Sequence, residues 1–253
     1  MTKATYVPVT PMRILVLVCG TTVPAIAERR GEFDRWIRDG VGDAWPGDWA
    51  SRDVRGDGPL PGPRDADAFV LTGSSSSVTE RAPWMLRVES LVRSMVQAHT
   101  PVLGICFGHQ LIAQALGGEV LRNPRGREIG TVRVSRVADD PIFAGLPRAF
   151  DAHATHVDAV SRLPPGAEVL ATTALDDVAA FRVGHAVKAV QFHPELDADI
   201  MRAYLRARAH LVRQEGGDPE ALLAGVCSSV RGADVLRNFA GLVLGRSRPA
   251  LTA

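Results

Sequence analysis

Apolar positions in the first half of the chain alternate between two periodicities. Arg13 to Val18 (RILVLV) and Ala68 to Thr72 (AFVLT) are continuous, β-branched apolar runs. That is the pattern of central parallel strands covered on both faces. Glu28 to Gly40 carries Phe33, Trp36 and Ile37 at helical spacing amid charges, so it reads as a helical stretch packed on the sheet. Residues 42 to 64, rich in Gly, Pro and Asp, read as loop with room for one short strand. Trp84 to Ala98 sets Met85, Val88, Leu91, Val92, Met95 and Val96 on one helical stripe, closed by Thr100-Pro101. Val102 to Cys106 (VLGIC) predicts a strand and Gly108 to Leu116 a helix ended by Gly117-Gly118, with almost no loop between them.

From Glu119 to about Phe192 the segments EVLR, IGTVRVSRV, AEVLATT, VAAFRVG and AVKAVQF are short, β-rich and broken by turns. Helical periodicity returns after Glu195, over about 198–214, 219–226 and 233–244. Leu222, Leu223, Val226, Val235, Leu236, Phe239, Leu242 and Val243 fall at helical spacing there and need a surface to bury them.

Length and charge narrow the function classes. The chain has 253 residues, 46% of them hydrophobic, which excludes disorder and allows a large α/β core. Its 29 basic and 28 acidic residues give a net charge of +1, so no long-range field favours nucleic acid or an anionic membrane. The apolar run from Met12 to Val18 is too short to span a bilayer and lacks a small-residue cleavage site after it. Three cysteines, Cys19, Cys106 and Cys227, are spread along the chain, which fits a reducing, cytoplasmic compartment better than a disulfide framework.

Cys106 has chemistry in its surroundings. Gly104-Ile105-Cys106-Phe107-Gly108 is a G-x-C-x-G between a predicted strand and a predicted helix. A residue on such a turn has a strained backbone and flanks that approach their neighbours closely, which glycine permits. The helix N-terminus lowers the thiol pKa and leaves the Phe107 N–H unpaired, aimed where an oxyanion forms. Cys19 and Cys227 lack such flanks and read as inert; an inert core thiol is also the plain alternative for a bare G-x-C-x-G.

A thiolate nucleophile needs a proton donor for its leaving group. His193 ends the predicted apolar strand Ala189 to Phe192, with Glu195 two residues on. Spacing of two along extended chain puts both side chains on one side, so Glu195 can orient the imidazole and stabilise its cation. Taken alone, His-Pro-Glu also reads as a turn after a strand. A metal site of His153, His156 and His193 is disfavoured, because the H-x-x-H lies in an apparent loop with no cysteine near. No G-x-S-x-G is present, and the order nucleophile, histidine, acid differs from that of α/β-hydrolases.

PVLGICFGHQLIAQALGG and AVQFHPE resemble the nucleophile elbow and His-Glu end of class I glutamine amidotransferases, and the agreement runs over most of residues 12 to 196. Within the class the chain looks most like the free-standing GMP-synthetase-like amidotransferases and γ-glutamyl peptidases. The resemblance implies a flavodoxin-like, doubly wound, mostly parallel α/β sheet over residues 1–196, with a helical C-terminal extension, 197–253, packed on it. It further implies a Cys106-His193-Glu195 triad, Gly73 as second oxyanion donor beside Phe107, and Gln110 in contact with the glutamyl group. Thr155 and His156, in Thr-His-Val-Asp, resemble the family's Ser-His-x-Asp loop beside the substrate's α-amino and α-carboxylate groups. Gln110 also reads as a helix-surface amide, and His156 as a turn cap.

One departure bears on function: Gly73-Ser74-Ser75 stands where synthetase-linked members usually show Gly-Gly-Pro. The segment after Glu195 is also shorter than an ATP-using synthetase domain of about 100 to 150 residues. The expected activity is thiol hydrolysis of a γ-glutamyl amide through a γ-glutamyl thioester, with no metal or other cofactor. The substrate is glutamine, with ammonia passed to a separate synthetase subunit, or a γ-glutamyl conjugate with no partner; a non-catalytic regulatory subunit is the remaining alternative.

Overall fold

A computed structural model describes residues 11–228 and 230–247, so both ends of the expected two-part division lie outside the described residues. β1 (Arg13–Val18) leads into α1 (Pro24–Arg30), α2 (Phe33–Val41), β2 (Asp48–Asp53), β3 (Ala68–Leu71), α3 (Pro83–Gln97), β4 (Val102–Ile105) and α4 (Phe107–Ala115). Seven strands follow: β5 (Glu119–Arg122), β6 (Glu128–Arg136), β7 (Ala149–His156), β8 (Asp158–Arg162), β9 (Ala167–Thr172), β10 (Ala180–Val183) and β11 (Val187–Val190). Then come α5 (Ala198–Gln214), α6 (Pro219–Ala224) and α7 (Gly232–Ser247).

Nine strands make one mixed sheet in the order β2-β1-β3-β4-β11-β10-β9-β6-β7. From β2 to β11 the pairings are parallel, as the continuous apolar runs predict, and from β11 onward they are antiparallel. Alternation along each buried strand feeds two cores. Ile14, Val16, Val70, Leu103 and Ile105 face α2 and α7. Leu15, Leu17, Phe69, Leu71 and Val102 face α3 and α4.

The C-terminal helices dock as their apolar spacing predicts. Val235, Leu236, Phe239 and Val243 of α7 are buried in the first core, with Leu242 partly buried beside them. Met201, Tyr204 and Leu205 of α5 join Val226, Phe33 and Trp36 in a third cluster, against which Leu222 and Leu223 pack. Three local readings need correction. His153 and His156, expected in a loop, lie on β7. The helical stretch from Glu28 to Gly40 is divided into α1 and α2 at Gly31, whose φ of +78° belongs to the left-handed region. His193 lies beyond the end of β11 and is held by a bridge to β7, its N–H donating to the His153 carbonyl at 2.7 Å. No described helix is long and apolar enough to cross a membrane.

Candidate active site

β4 ends at Ile105 and α4 starts at Phe107, so Cys106 alone makes the turn, with φ 52° and ψ −102°. This strained conformation at the carboxyl end of a central parallel strand is that of a nucleophile elbow. Its glycines are required by close approach: a Cβ on Gly104 would sit 2.6 Å from the Gly108 carbonyl oxygen, and one on Gly108 2.5 Å from that of Leu71. The first amides of α4 have no intrahelical acceptor, which leaves the Phe107 N–H beside the sulfur for a ligand.

His193 and Glu195 meet as their spacing predicts, with Nδ1 of the imidazole 2.7 Å from Oε1 of the carboxylate. Both side chains are buried. Burial alone disfavours the imidazolium, but the charges of Glu195 and Cys106 outweigh it and raise the His193 pKa to about 10. Burial likewise pushes the Cys106 thiol up, yet the charge and proximity of His193, with a contribution from His156, bring it below its ordinary value. The two groups are thus coupled, although His193 Nε2 has no well-aligned hydrogen-bond partner among the described residues. Catalytic contacts of this kind often tighten only when substrate binds. Gly73 follows β3 and lies against the same imidazole; a Cβ there would come within 2.9 Å of His193 Cε1.

Two cavities open on this centre. One, about 450 Å³, is lined by Ser74–Ser77, Cys106, Phe107, Gln110, Thr155, His156 and Arg208, among others. The other, about 320 Å³, lies on the His193 side and shares Ser74, Ser75, Thr155 and Arg208 with the first. The fold therefore brings all the sequence-singled residues to one place. Gln110 is more tied down than the sequence suggests: its amide nitrogen donates to the Asp158 carbonyl at 2.8 Å and to Gln191 Oε1 at 3.0 Å. Both donors serve the protein, leaving the amide oxygen for a ligand.

Several contributors carry no signal in the sequence. Glu128, on β6, accepts from Thr173 at 2.7 Å and contacts His156 Nε2 at 3.0 Å. Burial opposes a charge on His156, but the bond to Glu128 and the Cys106 and Asp176 charges raise its pKa. Burial equally opposes ionisation of Glu128, which its bonds to His156 and Thr173 restore, lowering its pKa. A second imidazole-carboxylate pair thus lies near the thiol, its carboxylate favouring the imidazolium form. Arg208, on α5, and a hydrogen bond from Ser77 to Asp158 also shape the cavity. Glu128 and Arg208 come from segments remote from both motifs, and no local string announces them, whereas Asp158 closes the Thr-His-Val-Asp run.

A family profile described as glutamine amidotransferase class-I matches residues 62–209, more than half of the chain. A glutamine-hydrolyzing GMP synthase of Thermomicrobium roseum is 46% identical over 128 residues, covering 51% of this chain and 23% of that protein. Gamma-glutamyl peptidase 4 of Arabidopsis thaliana is 32% identical over 153 residues, covering 57% of this chain and 61% of the peptidase. The chain thus spans about a quarter of the length of the first relative and about three fifths of the second. In fold it resembles a glutamine amidotransferase from Thermotoga maritima, with a TM-score of 0.65 at 23% identity over 93% of this chain and 97% of that one. The chain belongs to the class-I glutamine amidotransferase family.

Proposed function

We propose that this protein is a thiol hydrolase acting on the γ-glutamyl amide of glutamine or of a γ-glutamyl conjugate. The observation that carries the reading is the strained Cys106 at the start of α4, coupled to a His193-Glu195 pair at the junction of two cavities. The Cys106 thiolate attacks the γ-carbonyl carbon, forming a C–S bond, and the Phe107 and Gly73 N–H groups hold the oxyanion. The imidazolium of His193 passes its Nε2 proton to the leaving nitrogen as the C–N bond breaks, which leaves a γ-glutamyl thioester. His193 then takes a proton from water, the hydroxyl adds to the thioester, and glutamate departs as the thiolate is restored. Glu195 orients the ring throughout. Gln110, Thr155 and His156 hold the glutamyl end.

No metal or organic cofactor enters this chemistry. In this reading residues 1–196 form the amidotransferase-like unit and 197–253 a helical extension, of which α5 supplies part of the cavity wall. The second reading, glutamine hydrolysis with ammonia handed to a separate synthetase, is favoured by the 46% identity to a glutamine-hydrolyzing GMP synthase. Acid-quenching the enzyme during turnover and weighing it intact tests the shared step. A γ-glutamyl adduct on Cys106 is expected, and steady turnover with Cys106→Ala would remove the proposal.

A further inference from the structure

Three arginines line the larger cavity, and two of them share one carboxylate. Arg127 Nε and Arg122 Nη2 lie 2.7 and 3.4 Å from carboxylate oxygens of Glu215. Arg208 differs. It is partly buried, its guanidinium donates to Thr155 Oγ1 and lies 4.9 Å from the Tyr204 ring centroid, and among the described residues no carboxylate pairs with it. Its electrostatic neighbours are Tyr204, Cys106 and Arg127. An unmatched cation that costs desolvation and faces an open cavity is arranged for an anionic group that is not the protein's own.

Arg208 stands where the two cavities meet. It lines both cavities, and the smaller one contains His193 but not Cys106. Since His193 protonates the departing nitrogen, the leaving group lies in the cavity His193 lines. The rest of that wall includes Val23, Pro24, Phe33 and Tyr204, apolar and aromatic surface that ammonia does not use. A volume of about 320 Å³ is within the range of about 300–1,000 Å³ usual for small-molecule sites.

We propose, on the basis of the hydrolase reading above, that the smaller cavity is a leaving-group subsite for an α-amino acid with an apolar or aromatic side chain, and that Arg208 binds its carboxylate. The preferred substrates are then γ-glutamyl dipeptides bearing a C-terminal carboxylate. The side chain rests against Phe33 and its apolar neighbours, and the carboxylate forms charge-assisted hydrogen bonds with a planar guanidinium.

The test compares γ-glutamyl-phenylalanine with the same dipeptide as its C-terminal amide, using the full chain and Arg208→Lys and Arg208→Met variants. Wild-type kcat/KM should favour the acid by about 10- to 100-fold, the range for hydrogen bonds to a charged group. The acid-to-amide ratio should fall close to one in Arg208→Met and remain intermediate in Arg208→Lys. An unchanged ratio, or equal losses on both compounds, overturns the assignment; equal losses place Arg208 on the glutamyl carboxylate or in a structural role. Calorimetric titration of both compounds into Cys106→Ala, with and without Arg208→Met, separates this inference from the hydrolase reading. Arg208-dependent preference for the acid without wild-type turnover sinks the hydrolase reading alone. Turnover with no preference for the acid sinks the subsite alone, and so does binding of neither compound.

Discussion

Ser77 Oγ donates to Asp158 Oδ2 at 2.5 Å, joining two lining residues of the larger cavity that are 81 positions apart. The loop that starts at Gly73 is also braced from within: Ser76 N–H donates to Ser74 Oγ at 3.1 Å and Ser77 N–H to Glu80 Oε1 at 3.0 Å. In the proposed mechanism, an oxyanion loop ordered by its own chain has less need of a partner to arrange its donors. Ser77→Ala should therefore raise amide exchange across residues 74–77 and lower turnover, while global stability changes by only about 1 kcal/mol. Unaltered exchange and turnover would show the bond to be incidental.

Thiol reactivity should set Cys106 apart from Cys19 and Cys227. Burial pushes Cys19 up to about 12 and conceals it, whereas Cys106 is below its ordinary value. A glutamine-mimicking alkylator should inactivate the enzyme at neutral pH by modifying Cys106, and Cys19→Ala or Cys227→Ala should remain sensitive. With His193→Ala the pH midpoint of alkylation should move up, because burial then acts on the thiol without the opposing imidazolium. Peptide mapping after partial labelling decides the matter, and equal labelling of all three thiols goes against the assignment.

In the proposed mechanism Glu128 acts on Cys106 at second hand. Its carboxylate raises the His156 pKa, and the imidazolium form in turn helps lower that of Cys106. Glu128→Gln should shift the alkylation midpoint upward, by less than His193→Ala does. Glu128 and His156 also impose opposite pH dependences on stability. The depressed carboxylate contributes stability above its unfolded pKa and loses it as pH falls through its folded value. The raised imidazole contributes fully below its unfolded pKa and loses its contribution as pH rises through its folded value. The wild-type advantage in Tm over Glu128→Gln should thus be largest between these limits; an advantage that does not vary with pH contradicts the pairing.

The parts of the fold and site legible in the sequence share a local cause. Cys106, His193 and Glu195 each sit in a short string whose spacing carries the chemistry, and the apolar runs of β1, β3 and β4 record burial on both faces. Arg208 has no such signal, since α5 also carries Arg202, Arg206 and Arg213 and periodicity cannot say which arginine turns toward a cavity. Glu128 follows Arg125-Gly126-Arg127 and reads as part of a charged turn, until the antiparallel register of β6 and β7 sets it opposite His156. Gly31 reads as a helix residue because its neighbours keep a helical apolar spacing; only its positive φ shows the break.

The helices after Glu195 are structural as well as lining. Phe239 is 3% exposed in the core shared with α2. Phe239→Ala should cost about 3–5 kcal/mol, the usual range for deleting a buried phenylalanine. Ending the chain after Gln214 should lower the Tm further or change oligomeric state, by uncovering the apolar surface of α2. Thermal melts and mass measurements check both, and melting and mass that do not change would contradict the docking of these helices.

The central claim is that Cys106 hydrolyses γ-glutamyl amides by way of His193 and Glu195. Its most direct measurement is glutamate release by the purified protein, with no synthetase added, from glutamine and from a set of γ-glutamyl dipeptides, beside Cys106→Ala, His193→Ala and Glu195→Gln. The account predicts release from dipeptides well above the Cys106→Ala background, slower release from glutamine, a loss in His193→Ala close to that of Cys106→Ala, and a smaller loss in Glu195→Gln. Silence on every γ-glutamyl compound until a synthetase and its acceptor are supplied would establish the partner-dependent reading instead, and release equal to wild type from Cys106→Ala would contradict the claim outright.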